Sequence, residues 1–222
     1  GHKSRKVLRA ALTDGDIDAL KFMGCAQMDV GLVRCQVGRL SVAGELGFEM
    51  HCRAGDLKAL RDTLLKAGAD HGLIEYGFNA LLSLRLEKSF GIWSAEFTQG
   101  YTPGETGMDR WIDWDKDFIG KAAAVKERDA NAPGKVLVTL DVAADGADAA
   151  GFEPVWAGGD KIGFVTSGGY AHTLGKSLAM ALIDKEHAAE GISLSVHVGG
   201  GERKATVIAP SPYDPAGQAM RG

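Results

Sequence analysis

Val42-Ala43-Gly44-Glu45-Leu46-Gly47-Phe48-Glu49-Met50-His51-Cys52-Arg53 passes from a turn-forming segment into an extended one. Gly44 and Gly47 punctuate a loop. From Phe48 onward apolar and polar residues alternate, which puts Phe48, Met50 and Cys52 on one face of a strand and Glu49, His51 and Arg53 on the other. A strand with one apolar face needs neighbours and a covering layer. Upstream, residues 25–30 and 32–42 read as two further strands joined at Gly31, and residues 4–12 as a short helix stopped by Asp14-Gly15-Asp16. Downstream, residues 57–67 carry Leu57, Leu60, Leu64 and Leu65 as one helical stripe that ends at Ala67-Gly68. Strands grouped beside helices predict an α+β fold.

A helix follows over 78–87, then a loop-like stretch over 92–109 with Thr102-Pro103-Gly104 as its turn, then a helix over 118–126. Residues 127–134 are polar and close on Pro133-Gly134, the best linker in the chain. Beyond them the period changes to that of strands. Residues 136–142, 161–166, 177–183, 193–198 and 203–208 are short extended runs, with glycine turns expected at 158–159, 168–169 and 199–201. This pattern predicts a small antiparallel β-barrel. The expected organisation is thus one domain over 1–126 and a second over 135–210, with an irregular tail from Ser211.

The 222 residues carry a formal net charge of −4, with 45% hydrophobic and 24% charged residues. That composition supports a packed core and lacks the basic footprint of a dedicated nucleic-acid binder. No apolar run approaches the roughly 18 residues of a membrane span. Three cysteines without a CxxC pair suggest neither a disulfide framework nor a zinc site, so a reducing, cytoplasmic setting is the default expectation. No signal peptide is visible. The opening at Gly1 without an initiator Met reads as the interior of a longer protein.

Glu49 and His51 share the polar face of the third strand beside the glycine loop. A carboxylate there suits a ligand edge with two parallel N–H donors, because both oxygens accept at once; a solvated polar face is the competing reading. Arg85, set among leucines in Leu82-Ser83-Leu84-Arg85-Leu86-Glu87, could anchor an anion or pack its stem and pair with a carboxylate. Trp111 and Trp114 could stack a heteroaromatic ligand or lie in the core, the latter being the commoner use. Gly168-Gly169 and Gly199-Gly200-Gly201 are not phosphate loops, since no GxxxxGK[ST] is present; they read as hairpin turns. The six histidines are scattered and none is assigned to a metal.

Four ordered stretches carry a resemblance. Gly1-His2-Lys3-Ser4-Arg5 looks like G-P-x-S-R, and Val42 to Glu49 like Y-x-G-E-x-G-[FWY]-E. Leu84-Arg85-Leu86-Glu87 followed by Thr102-Pro103-Gly104-Glu105-Thr106-Gly107-Met108 looks like L-R-L-E then T-P-x-E-A-G-L. Asp117-Phe118-Ile119-Gly120-Lys121 resembles K-x-F-I-G. These are motifs of the folate-binding aminomethyltransferase family, which includes the glycine cleavage T-protein and the C-terminal part of dimethylglycine and sarcosine dehydrogenases. Ser167-Gly168-Gly169-Tyr170-Ala171-His172-Thr173-Leu174-Gly175-Lys176-Ser177 is similar to S-G-G-Y-x-H-x-x-G-K-S of the dehydrogenase branch.

The resemblance implies the later part of an aminomethyltransferase folate domain followed by the family's barrel. It implies tetrahydrofolate as cofactor and the transfer of a methylene or aminomethyl carbon from a small methylated amine or aminomethyl donor. FAD enters only with an upstream flavin domain or partner chain. By the resemblance, Glu49 binds the pterin edge, Met50 and His51 are its strand neighbours, and Trp111 falls where the family has an aromatic residue close to folate. Val42 stands where the family has Tyr, Leu81 where the T-protein has Arg, and Arg85 matches the Arg of L-R-L-E. The family's proton-handling Asp precedes the first motif, so the catalytic residues are unknown and this chain alone is expected to be inactive. The competing class is a non-catalytic ligand-binding or interaction module.

Overall fold

The structure is a computed structural model that describes residues 1–130 and 134–222. The chain forms two compact units, Gly1–Leu81 with Ala216–Gly222, and Leu82–Pro215.

The first unit is a sheet covered by helices. Helix α1 (Ser4–Ala11) runs into β1 (Leu12–Asp14), followed by β2 (Cys25–Val30), β3 (Val33–Gly38), β4 (Glu49–His51) and α2 (Leu57–Gly68). The sheet order is β1-β2-β3-β4, antiparallel throughout, so β4 is an edge strand. The two-residue turn Gly31-Leu32 closes the β2–β3 hairpin, and Leu32 is fully exposed there, outside the strand expected to begin with it. The alternation in β3 works as expected: Val33, Cys35 and Val37 are buried, and join Leu8, Ala11, Ile17, Leu20, Met28, Val30 and Leu60 in one core. Phe48, Met50 and Cys52 pack against that core, which confirms the face assignment for the 48–53 segment. The strand expected over 32–42 stops at Gly38, and the segment that follows is free to form the loop that shapes the site below.

The second unit is built on a closed six-stranded antiparallel barrel of β5 (Lys135–Val142), β6 (Pro154–Ala157), β7 (Asp160–Ala171), β8 (Lys176–Asp184), β9 (Ser193–Val198) and β10 (Gly201–Ile208), in the order β10-β5-β8-β7-β6-β9. Its interior is apolar, with Leu140, Val155, Val165, Ala179, Ala181, Ile183 and Val196 at zero exposure. The predicted barrel is present, but one expected turn is not. Gly168 and Gly169 lie inside β7, paired with Ala179 and Leu178 of β8. Gly168 is there because backbone approaches closely: a Cβ on it would sit 2.3 Å from the Ala149 carbonyl oxygen. The turns at 158–159 and 199–200 do join β6 to β7 and β9 to β10.

Helix α3 (Phe78–Glu87) spans the division between the units, and α4 (Lys121–Asp129) precedes the barrel. Residues 127–129 of the expected linker are therefore helical, while 131–133 lie outside the described residues. In the 92–109 segment, Thr102 and Glu105 satisfy each other's backbone: Thr102 N–H donates to Glu105 Oε2 at 2.8 Å, and Glu105 N–H to Thr102 Oγ1 at 3.2 Å. This is a capping-box exchange. It fixes the turn whose Glu105 carbonyl accepts Leu137 N–H of β5 at 2.7 Å. The short helix α5 (Gln218–Arg221) belongs to the first unit, where Arg39 donates to the Arg221 carbonyl. No helix among the described residues is long and apolar enough to cross a membrane.

Candidate functional site

The first unit contains a cleft of about 640 Å³ along the 40–50 segment and edge strand β4. Two glycines shape its floor. Gly44 has φ +79°, a left-handed conformation that side-chain-bearing residues avoid. A Cβ on Gly47 would lie 3.1 Å from the Leu40 carbonyl oxygen, a tight contact that marks how closely the loop folds back here. The loop then delivers Phe48, Glu49 and Met50 to one wall. The opposite wall comes from Leu64 of α2 and from residues 71–74, Tyr76 and Leu81, with Lys3, Ser4, Val7 and Leu8 closing one end.

Glu49 presents a carboxylate that keeps 40% of its side-chain surface exposed, and its Oε2 lies 3.7 Å from His51 Nε2. Their backbones pair with Gly38 and Gln36 of β3, so both leave the outer face of the sheet, as alternation predicts. Val42, 38% exposed, and Met50 also line the cleft. His51 is on the same strand but is not among the lining residues. At the far wall, Arg61 grips Glu75 with two parallel bonds of 2.7 Å. The Arg61 hydrogen bonds hold the Glu75 carboxyl below the usual carboxylate range. This pair pins to α2 the segment that carries Ile74 and Tyr76, which are 81% and 58% exposed. The sequence reading missed this wall; the signal for it was the apolar run Leu73-Ile74 with Tyr76 in a segment that has neither helical nor strand period.

The remaining predicted site residues lie in the other unit. Trp111 is 66% exposed, with the Arg110 guanidinium 5.6 Å from its ring centroid, so the expectation of a core position for it does not hold. Arg85 is 3% exposed and serves the packing role weighed as its alternative: Nη1 donates to Glu96 Oε2 at 3.3 Å and to the Phe90 carbonyl at 3.0 Å. Burial pulls the Arg85 pKa down, and the Glu96 charge opposes that pull. Val42, Glu49 and Met50 are thus brought to one cleft, with His51 beside it. No group of three or more His, Cys, Asp or Glu is placed to hold a metal ion among the described residues.

Comparison with known proteins bears on both units. Residues 1–116 match the family model of the GCVT N-terminal domain, and residues 135–214 match that of the glycine cleavage T-protein C-terminal barrel domain. The chain is 36% identical over 212 residues to the mitochondrial dimethylglycine dehydrogenase of Rattus norvegicus, covering 94% of this chain and 24% of that protein. It is 33% identical over 216 residues to the aminomethyltransferase of Geobacillus thermodenitrificans, covering 96% of this chain and 58% of that one. The chain therefore spans about a quarter to a little over half of the length of these relatives. Its fold matches the crystal structure of the glycine cleavage system aminomethyltransferase T from Bartonella henselae, with a TM-score of 0.82 at 23% identity, over 94% of this chain and 56% of that one.

Proposed function

The chain belongs to the glycine cleavage T-protein family, and from that premise we propose that it forms part of a tetrahydrofolate-dependent one-carbon transferase whose pterin sits in the cleft beside Glu49. The observation that carries the proposal is a carboxylate at the wall of a largely apolar cleft on an edge strand. The cleft volume falls in the range of roughly 300–1,000 Å³ usual for small-molecule sites. Val42, Leu46, Phe48, Met50 and Leu64 supply apolar walls for a flat ring, and Glu49 supplies two acceptor oxygens for its N3–H and 2-amino donors. These residues fit the group. When bound, tetrahydrofolate supplies the nitrogen that takes up the one-carbon unit. The contribution of this chain's own residues is binding and orientation: Glu49 fixes the ring's rotation, and the apolar walls exclude water from its faces. The one-carbon donor is proposed to be a small methylated amine or an aminomethyl carrier, and an FAD domain or partner chain is proposed only where the parent protein is of the dehydrogenase type.

Glu49→Gln is expected to remove a charge-assisted contact of about 1.5–3 kcal/mol, which weakens folate binding roughly 10- to 100-fold. Isothermal titration of a reduced folate against both forms of the parent protein measures this, and equal affinity rejects the assignment.

Glu45 and Glu49 are the only carboxylates among the described lining residues, and both are partly exposed. This favours a second, narrower reading in which the isolated 222-residue chain is a binding module. It is expected to bind folate yet to lack the general acid–base help worth roughly 10²–10⁴-fold. Formation of 5,10-methylenetetrahydrofolate from an amine donor, compared between chain and parent, tests it; equal turnover overturns it.

A further inference from the structure

Strand β3 carries Cys35 and the segment leaving β4 carries Cys52. The β3–β4 register pairs Val37 with Met50 and Gln36 with His51, and continuing it one residue past the end of β4 sets Cys35 opposite Cys52. Directly opposed residues on antiparallel strands share a face and have Cα atoms about 4.5–5.5 Å apart. That spacing lies inside the roughly 4.4–6.8 Å range that a disulfide spans without backbone movement. Both side chains belong to the same core face: Cys35 is 1% exposed, and Cys52 packs against that core while remaining partly open to solvent. The Cys35 thiol donates to the Val33 carbonyl at 3.6 Å and the Cys52 thiol to the Arg53 carbonyl at 3.4 Å. Cys25 faces the other way: it pairs with Gly38 and its thiol accepts from Gln36 Nε2 at 2.9 Å on the outer face.

We propose that Cys35 and Cys52 form a reversible cross-strand dithiol–disulfide couple that staples β4, the strand of the cleft, to β3. The proposal does not depend on what the cleft binds. The oxidant is a small-molecule disulfide of the glutathione class. Burial, with the neighbouring Cys52 thiol and nearby acidic groups adding to it, pushes the Cys35 thiol up, so the more accessible Cys52 reacts first. Cys52 Sγ attacks one sulfur of the disulfide and loses its proton, a protein–glutathione S–S bond forms, and one glutathione thiol leaves. Cys35 Sγ then attacks Cys52 Sγ, the mixed S–S bond breaks, and the second glutathione leaves with the Cys35 proton. Two protein thiols are oxidised and one glutathione disulfide is reduced to two thiols. The bond closes the loop from residue 35 to residue 52, which carries the glycine turn and the cleft wall.

The test uses the Cys25→Ser form of the chain, in which only these two thiols remain. It is equilibrated with oxidised glutathione and read by intact mass and by a non-reducing tryptic map. Cleavage after Arg34, Arg39 and Arg53 separates residues 35–39 from 40–53, so only a disulfide holds those peptides together. The expected result is a loss of two hydrogens with no glutathione retained, a linked 35–39/40–53 peptide, and its release by dithiothreitol. Cys35→Ser in the same background is expected to keep one glutathione on Cys52. A stable glutathione adduct with both cysteines present, or two free thiols after saturating oxidant, overturns the proposal. The map of the unsubstituted chain gives the same answer should Cys35→Ser fail to fold.

Discussion

Glu96→Ala is expected to destabilise the second unit by about 3–5 kcal/mol, the cost of leaving one member of a buried ion pair uncompensated. Glu96 has no exposed surface, and four groups converge on its carboxylate. Arg85 Nη1 and the Ile92 N–H reach Oε2 at 3.3 and 3.0 Å, while the Thr166 and Ser167 hydroxyls reach Oε1 at 2.7 and 2.5 Å. Removing the carboxylate strands a guanidinium that stays charged in the core, plus two hydroxyls in β7. Arg85 would keep only neutral partners: its Nε has none among the described residues, and Nη1 retains the Phe90 carbonyl at 3.0 Å and Met180 Sδ at 3.6 Å. Replacing both ends, Arg85→Met with Glu96→Gln, is expected to recover part of the loss, because the penalty lies in the unpaired charge. Urea unfolding of the single and double variants measures this. A Glu96→Ala cost below about 1 kcal/mol would contradict the ion-pair account.

The second large effect is steric. A Cβ on Gly163 of β7 would stand 2.0 Å from the Leu182 carbonyl oxygen and 2.8 Å from Ile183 Cα, both backbone atoms of β8. No rotamer change relieves a clash between ladders, so β7 and β8 must part where Gly163 opposes Ile183 in the barrel wall. Gly163→Ala is expected to cost about 3 kcal/mol, the upper end of the usual overpacking range. The barrel's melting temperature should fall by roughly 6–12 °C. Gly159→Ala is the matched control, since nothing lies within 4 Å of its Cβ position; it is expected to melt like the parent. A normal melt for Gly163→Ala would mean that the two strands are not this close.

Both residues illustrate what a sequence hides. Strand alternation located Ser193–Val198 to the residue, and an unbroken run of good helix formers after Gly77 located Phe78–Glu87. Strand β6 escaped notice: four residues opening on Pro154 make too short a run, yet β6 closes the barrel by pairing with β7 and β9. Gly168-Gly169 looked like a turn because a glycine pair reads the same whether the chain reverses or another backbone presses against it. In the cleft, Glu49 was legible from the strand alternation and the glycine loop beside it. The far wall was not, because residues 71–76 reach it only through tertiary packing and the Arg61–Glu75 clasp. Glu96 gave no signal at all, since its partners stand between 4 and 71 positions away.

The barrel's closure also dictates the order in which it can assemble. The β9–β10 and β6–β7 pairs are hairpins between neighbours in sequence, and β7–β8 is joined by a short turn. The β5–β10 seam joins Thr139 to Ile208 and Val142 to Ala205, the most distant partners in the ring. Loop-closure entropy makes such a contact the last to become favourable. During synthesis β5 emerges early but has no second neighbour on that side until residue 208 has left the ribosome. For that interval the nascent domain is an open sheet with a bare edge, a template for pairing with other chains. The seam therefore sets the window of vulnerability for this half of the protein, and a cell under heat or crowding stress would lose it there first, before any native molecule unfolds.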